Sequence, residues 1–167
     1  MYSVSAKLSE LIYVRLDKGQ DLLAAIKQAI VDHDIKTGLV IDITGSVTQA
    51  RLQKFPGKSH SENIRIEVVD LEGPMEVTGH GIIGMTKGSG GVGEYKDGEP
   101  YVHVHMVMTS VDETICGHLM PGTFVRSHLE VSHFTIVLAK AEGVSLTAAF
   151  QQTADGKGRI YHDLKPA

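Results

Sequence analysis

Residues 101–109 read Tyr101-Val102-His103-Val104-His105-Met106-Val107-Met108-Thr109, and the period of this stretch decides the fold. Alternate residues of a β-strand share a face and rise about 3.3 Å each, so His103 and His105 point the same way, roughly 7 Å apart. Val102, Val104, Met106 and Met108 fill the opposite face with apolar groups, the alternation of a half-buried strand. A short reversal through Val111-Asp112-Glu113-Thr114 leads to Ile115-Cys116-Gly117-His118-Leu119, which returns His118 alongside. Three neutral imidazoles with one open position are the ligand set of a catalytic or substrate-accepting zinc site rather than a closed structural one. The same spacing also suits a polar strand face turned to solvent or to a partner subunit, because nine histidines make chance neighbours common. Cys116 is a candidate thiolate ligand by its position two residues before His118, and equally a small buried hydrophobe.

Working outward, Leu11 to Leu16 has a strand pattern that ends at Asp17-Lys18-Gly19. Asp21 is placed to cap a helix whose apolar face is Leu22, Leu23, Ile26, Ala29 and Ile30, running up to Gly38. Leu39 to Thr44 is a second strand, broken at Gly45-Ser46 by a bulge or bend before Val47 to Gln53 continues as a third. Residues 55–60 are a loop by composition. Ile64 to Leu71 is strongly strand-like, and Gly73-Pro74 turns the chain into another strand, Met75 to Ile83. After the histidine segment come a final apolar run, His133 to Ala139, and Val144 to Phe150 pairing with it or continuing it. From Thr153 onward there is no periodicity, the pattern of a mobile tail or one laid over a neighbouring subunit. Many strands with one convincing helix predict an α+β domain built on antiparallel pairs, since parallel pairing needs a crossover between strands.

Composition narrows the function classes. A chain of 167 residues with 42% hydrophobic and 22% charged residues fits one ordinary domain that folds without staples. No run approaches the roughly 18 apolar residues of a membrane span, and Met1-Tyr2-Ser3-Val4-Ser5 lacks the basic-then-apolar order of a secretory leader, so a cytoplasmic location is expected. One cysteine excludes an internal disulfide framework. The formal charge of −4 and the absence of any run of Lys or Arg give no electrostatic footprint for nucleic acid. Gly88-Ser89-Gly90-Gly91-Val92-Gly93 has the spacing of a dinucleotide fingerprint, but Glu94-Tyr95-Lys96-Asp97-Gly98-Glu99-Pro100 is a turn where a helix would be required, so the stretch reads as a hairpin loop. Neither a phosphate-binding Gly-Lys-Ser/Thr nor a Gly-x-Ser-x-Gly elbow is present.

Several segments together resemble the PPC domain, the "plants and prokaryotes conserved" family that follows AT-hook motifs in plant nuclear proteins and stands alone in prokaryotes. They are Val14-Arg15-Leu16 with Gly19, Asp21-Leu22-Leu23 and Ile26; Gly45-Ser46-Val47 with Ala50 and Leu52; Ile66-Glu67-Val68-Val69 with Leu71 and Gly73; and Pro100-Tyr101-Val102-His103-Val104-His105, Gly117-His118-Leu119, Gly122, Val125 and Glu130. The resemblance spans roughly residues 11–140, implying a domain over 1–140 and a C-terminal extension, 141–167, without a recognised motif. It implies an antiparallel sheet flanked by few helices, a homotrimer, and a metal site, usually zinc or another divalent transition metal, on His103, His105 and His118. Where the family has Gly, Asp-Gly and Thr, this chain has Cys116, Val111-Asp112-Glu113-Thr114 and His128. Cys116, His128 and Glu130 are therefore candidates for an additional ligand or for groups that orient the ligands.

Three functions follow. The first is a metal-bearing trimer with a regulatory role, associated with DNA directly or through a DNA-binding protein and not with a membrane. The second is a metalloenzyme in which Glu130 or Glu67 acts as general base toward a zinc-bound water. The third is a metal-free interaction module. His33, His60, His80, His133 and His162 read as surface or satisfied polar residues.

Overall fold

The structure is a computed structural model that describes residues 1–55, 66–90, 94–126, 133–151 and 159–167. Its elements in chain order are β1 (Lys7–Leu16), α1 (Leu22–Asp32), β2 (Gly38–Lys54), β3 (Glu67–Lys87), β4 (Pro100–Thr109), β5 (Thr114–Leu119), β6 (Phe124–Arg126), β7 (Phe134–Glu142), β8 (Val144–Gln151) and β9 (Arg159–Pro166). The strands form one sheet in the order β1-β7-β2-β5-β4-β3-β8-β9, with β6 on β2 and a further pairing of β2 with β3. Every pairing is antiparallel except β3 with β8. The fold is thus mostly sheet, with a single helix among the described residues, a coarse match to the α+β expectation.

The helix forms for the reasons its sequence gives. Asp21 accepts a hydrogen bond from the backbone N–H of Ala24 at 2.9 Å, and its other oxygen accepts from Gly122 N–H at 2.6 Å, so one carboxylate caps the helix and ties it to the loop before β6. Leu22, Leu23, Ile26, Ala29 and Ile30 are buried, as their spacing requires. They pack against Val102, Val104, Met106 and Met108 of β4 and the inward residues of β2, β3 and β7 in one core. Tyr95, Tyr101 and Ala148, with Phe150 beside them, make a second, smaller cluster.

Two of the expected breaks are absent. Residues 38–54 form one strand, because Gly45 lets Phe134 pack onto it rather than ending it: a Cβ there would lie 2.5 Å from the Phe134 ring. Gly73-Pro74 likewise leaves β3 one strand, but the β2–β3 register shifts at these two residues, between the pairs Val47–Met75 and Gln49–Glu72, and a Cβ on Gly73 would meet the Val47 carbonyl oxygen at 2.5 Å. A bulge of this kind bends paired strands. The bend allows the far end of β2 to reach β5, where Leu52 and Gln53 pair with Leu119 and His118. At the start of the glycine-rich stretch Gly90 forms an antiparallel bridge with Tyr95, exchanging backbone hydrogen bonds of 2.9 and 3.1 Å, while residues 91–93 lie outside the described residues. The tail also differs from expectation: Arg159–Pro166 is a strand paired along its length with β8 of its own chain. It alternates too weakly to be recognised as such, since it sits at the edge of the sheet with Ile160 and Tyr161 exposed.

Candidate metal centre

The site is built on β4 and β5. Odd-numbered residues of β4 face away from the helix, which puts Tyr101, His103, His105 and Val107 on one side. The turn between the strands is closed by a hydrogen bond from Ser110 N–H to the Glu113 carbonyl at 2.9 Å and by paired hydroxyls of Thr109 and Thr114 at 2.9 Å. This sets the register so that His118 stands directly opposite His105. The Nε2 atoms of His103 and His105 are 3.1 Å apart, and the ring centroids of His103 and His105 lie 4.8 and 5.9 Å from that of His118. One ligand nitrogen from each of the three falls within 4.8 Å of the others. Three nitrogens at about 2.1 Å from a tetrahedral zinc stand about 3.4 Å apart, so the donor set fits such an ion with small ring rotations.

Electrostatics favour the ligating form. Burial, reinforced by His103 and His105, lowers the His118 pKa to about 4, and burial with His105 and His162 nearby also lowers that of His103. Both rings are therefore neutral near pH 7 and keep a lone pair for a metal. Burial raises the pKa of Tyr101 well above the ordinary phenol value, so its hydroxyl stays protonated. A cavity of about 250 Å³ opens beside the rings, lined by His80, Gly81, Ile82, His103, His105 and His162.

The other candidates fall elsewhere. Cys116 shares the face of His118 but stands one step along, exposed and opposite Val107, and does not join the converging group. Glu67 pairs with Lys54, one residue beyond the Gln53 that pairs with His118, so the alternation of β2 turns it to the opposite face. His128 and Glu130 lie outside the described residues.

His162 was not expected at the site. Its Nε2 is 3.1 Å from the Tyr101 hydroxyl, and its ring centroid is 5.7 Å from that of His103. Nothing local in the sequence links positions 101 and 162. Tyr101 and His103, by contrast, share a face of β4 through their two-residue spacing, with the hydroxyl 3.1 Å from His103 Nδ1.

The model of the Plants and Prokaryotes Conserved (PCC) domain matches residues 4–137. The chain belongs to this family. Proteins of known structure share the fold. A metal-containing protein of Archaeoglobus fulgidus superposes with a TM-score of 0.72 at 19% identity, covering 96% of this chain and 99% of its own. A plant- and prokaryote-conserved (PPC) protein of Pyrococcus horikoshii gives 0.69 at 20%, covering 99% of both chains. A Bacteroides thetaiotaomicron protein provisionally described as DNA-binding gives 0.62 at 14%, covering 95% and 96%. At these identities the likeness shows a common fold. No curated protein matches the chain. Among the described residues no helix is long and apolar enough to cross a membrane.

Proposed function

We propose that this PCC-domain chain is a cytoplasmic, metal-binding homotrimer with a regulatory role in association with DNA or a DNA-binding protein. The carrying observation is the convergence of His103, His105 and His118 within 4.8 Å, with no carboxylate in the group. Those three side chains would hold a divalent transition metal, zinc first, because imidazole suits zinc and three such ligands leave a position open. The Archaeoglobus fulgidus relative, described as metal-containing, supports this reading.

The trimer is supported by the face that carries the histidines. Leu11, Ala139, Leu39 and Ile82 stand in successive register beside His103, a row across β1, β7, β2, β3 and β4. Leu11, Tyr13, Leu39, Ile41 and Val107 on this face are 52%, 70%, 39%, 42% and 39% exposed. Exposed apolar side chains gathered on one face of a sheet suit a protein interface. The DNA association is drawn from relatives provisionally described as DNA-binding. A charge of −4 favours contact through a partner protein over direct phosphate contact.

The test is metal content and mass of the untagged protein. One metal per chain in a species of three chains is the expected result, with His103→Ala and His118→Ala both reducing metal to background. Equal, near-zero metal in all three proteins overturns the site, and a monomer overturns the assembly. Steep salt dependence of affinity for random duplex DNA would indicate direct contact, and no binding at low salt an indirect role.

The cavity favours a second reading, a metal-dependent enzyme, because it opens onto His103 and His105. A zinc held there would supply a bound water acidic enough to act near pH 7. Metal-dependent turnover of ester or phosphodiester substrates, lost in His118→Ala, would replace the regulatory reading.

A further inference from the structure

The β8–β9 hairpin lies beyond the matched residues 4–137, yet it delivers a side chain to the histidine cluster. β8 runs parallel to β3 with Ala148 beside Thr86, and β9 pairs with β8 so that His162 stands opposite Ala148. The Tyr101 hydroxyl is then 3.1 Å from the His162 Nε2 and 3.1 Å from the His103 Nδ1. Tyr101 is itself fixed: it is 2% exposed, its ring lying 5.3 Å from that of Tyr95 and 6.5 Å from that of Phe150.

We infer that His162, acting through Tyr101, is a positioning residue that holds His103 in the tautomer able to bind a metal. This rests on the metal-site reading above. The Nε2 of His103 faces that of His105, so it is the nitrogen that would meet a metal held by the three rings, and the proton of the neutral ring would then sit on Nδ1. From Nδ1 it is donated to the Tyr101 oxygen. Tyr101 has one hydroxyl proton, which is then directed to the His162 Nε2 as acceptor. Without His162 that hydroxyl is free to turn and donate to Nδ1, which would put the ring proton on Nε2 and block ligation. The direction of the whole chain is therefore set jointly by the ion at one end and the acceptor at the other. Partners of this kind fix the ring orientation of a ligating histidine, and their loss costs about 10- to 100-fold in metal affinity.

The experiment measures zinc affinity by chelator competition, and the visible spectrum of the Co²⁺-loaded protein, in the full-length chain. His162→Ala is expected to weaken binding at least tenfold and shift the Co²⁺ bands, while His162→Gln, which restores an acceptor oxygen, recovers most of the affinity. Tyr101→Phe keeps the ring in its cluster and should match His162→Ala, with the double variant no weaker than either single one. If His162→Ala binds as tightly as the unaltered chain while His103→Ala loses the metal, the inference fails and the metal site stands. Multiplying losses in the double variant would make His162 act independently of Tyr101 and also overturn it. An unaltered chain that binds no zinc removes both readings.

Discussion

The two faces of β4 carry different tasks. Val102, Val104, Met106 and Met108 are all at most 1% exposed beneath α1, whereas on the other side His103 and His105 line the cavity, Val107 is exposed and Tyr101 is buried in the smaller cluster. One strand thus serves as main core on its even positions and as chemistry at His103 and His105 on the odd ones. The two are separable because neighbouring side chains never share a side. Damage to the even positions acts on folding, and damage to the odd ones on binding.

Met106→Ala offers the largest break. It removes a fully buried side chain, and such truncations cost about 2–5 kcal/mol. Urea unfolding is expected to show that loss, while the fraction still folded keeps its metal affinity. A change in affinity without a change in stability would erase the distinction.

Acid sharpens it. In the metal-free protein the folded His118 titrates near 4 against an ordinary 6.5, so between these values the unfolded chain holds a proton that the folded one lacks. Stability contributed by the neutral ring is complete above about 6.5 and falls as pH drops toward 4, by on the order of 3 kcal/mol. His118→Gln reduces this slope in urea titrations taken across the window, leaving the share of His103 and His162, whose pKa values burial also lowers; Met106→Ala keeps it whole. A slope unchanged by His118→Gln would place the acid sensitivity elsewhere.

Asp21→Ala gives the smallest expected effect. Losing an N-cap costs about 1 kcal/mol, and the tie to Gly122 goes with it. The helix is the cover of the even face, so the denaturation midpoint should fall while metal content per folded chain stays constant.

How much of this was legible in the sequence depends on the range of the interaction. The β4 alternation, the Asp21 cap and the return of His118 opposite His105 are set by residues at most fifteen positions apart, and the sequence pattern states them. The continuity of β2 through Gly45 depends on Phe134, far along the chain, so local turn chemistry gave the wrong answer there. The strand at 159–166 and the arrival of His162 at Tyr101 depend on pairing with β8, which leaves no periodic trace in an exposed edge segment. Glu67 was misplaced as a candidate base for a similar reason: its residue type said nothing of which side of β3 it would face. His128 and Glu130, the remaining candidates, lie outside the described residues.

One strand binds these parts into a single unit. β2 borders β3 along one edge, and along the other it meets β7, β6 and β5 in turn. None of β3, β5, β6 and β7 can detach without stripping ladder bonds from this spine, so its residues open only when the sheet as a whole unfolds. Amide hydrogens along residues 38–54 should accordingly exchange last, only through global unfolding.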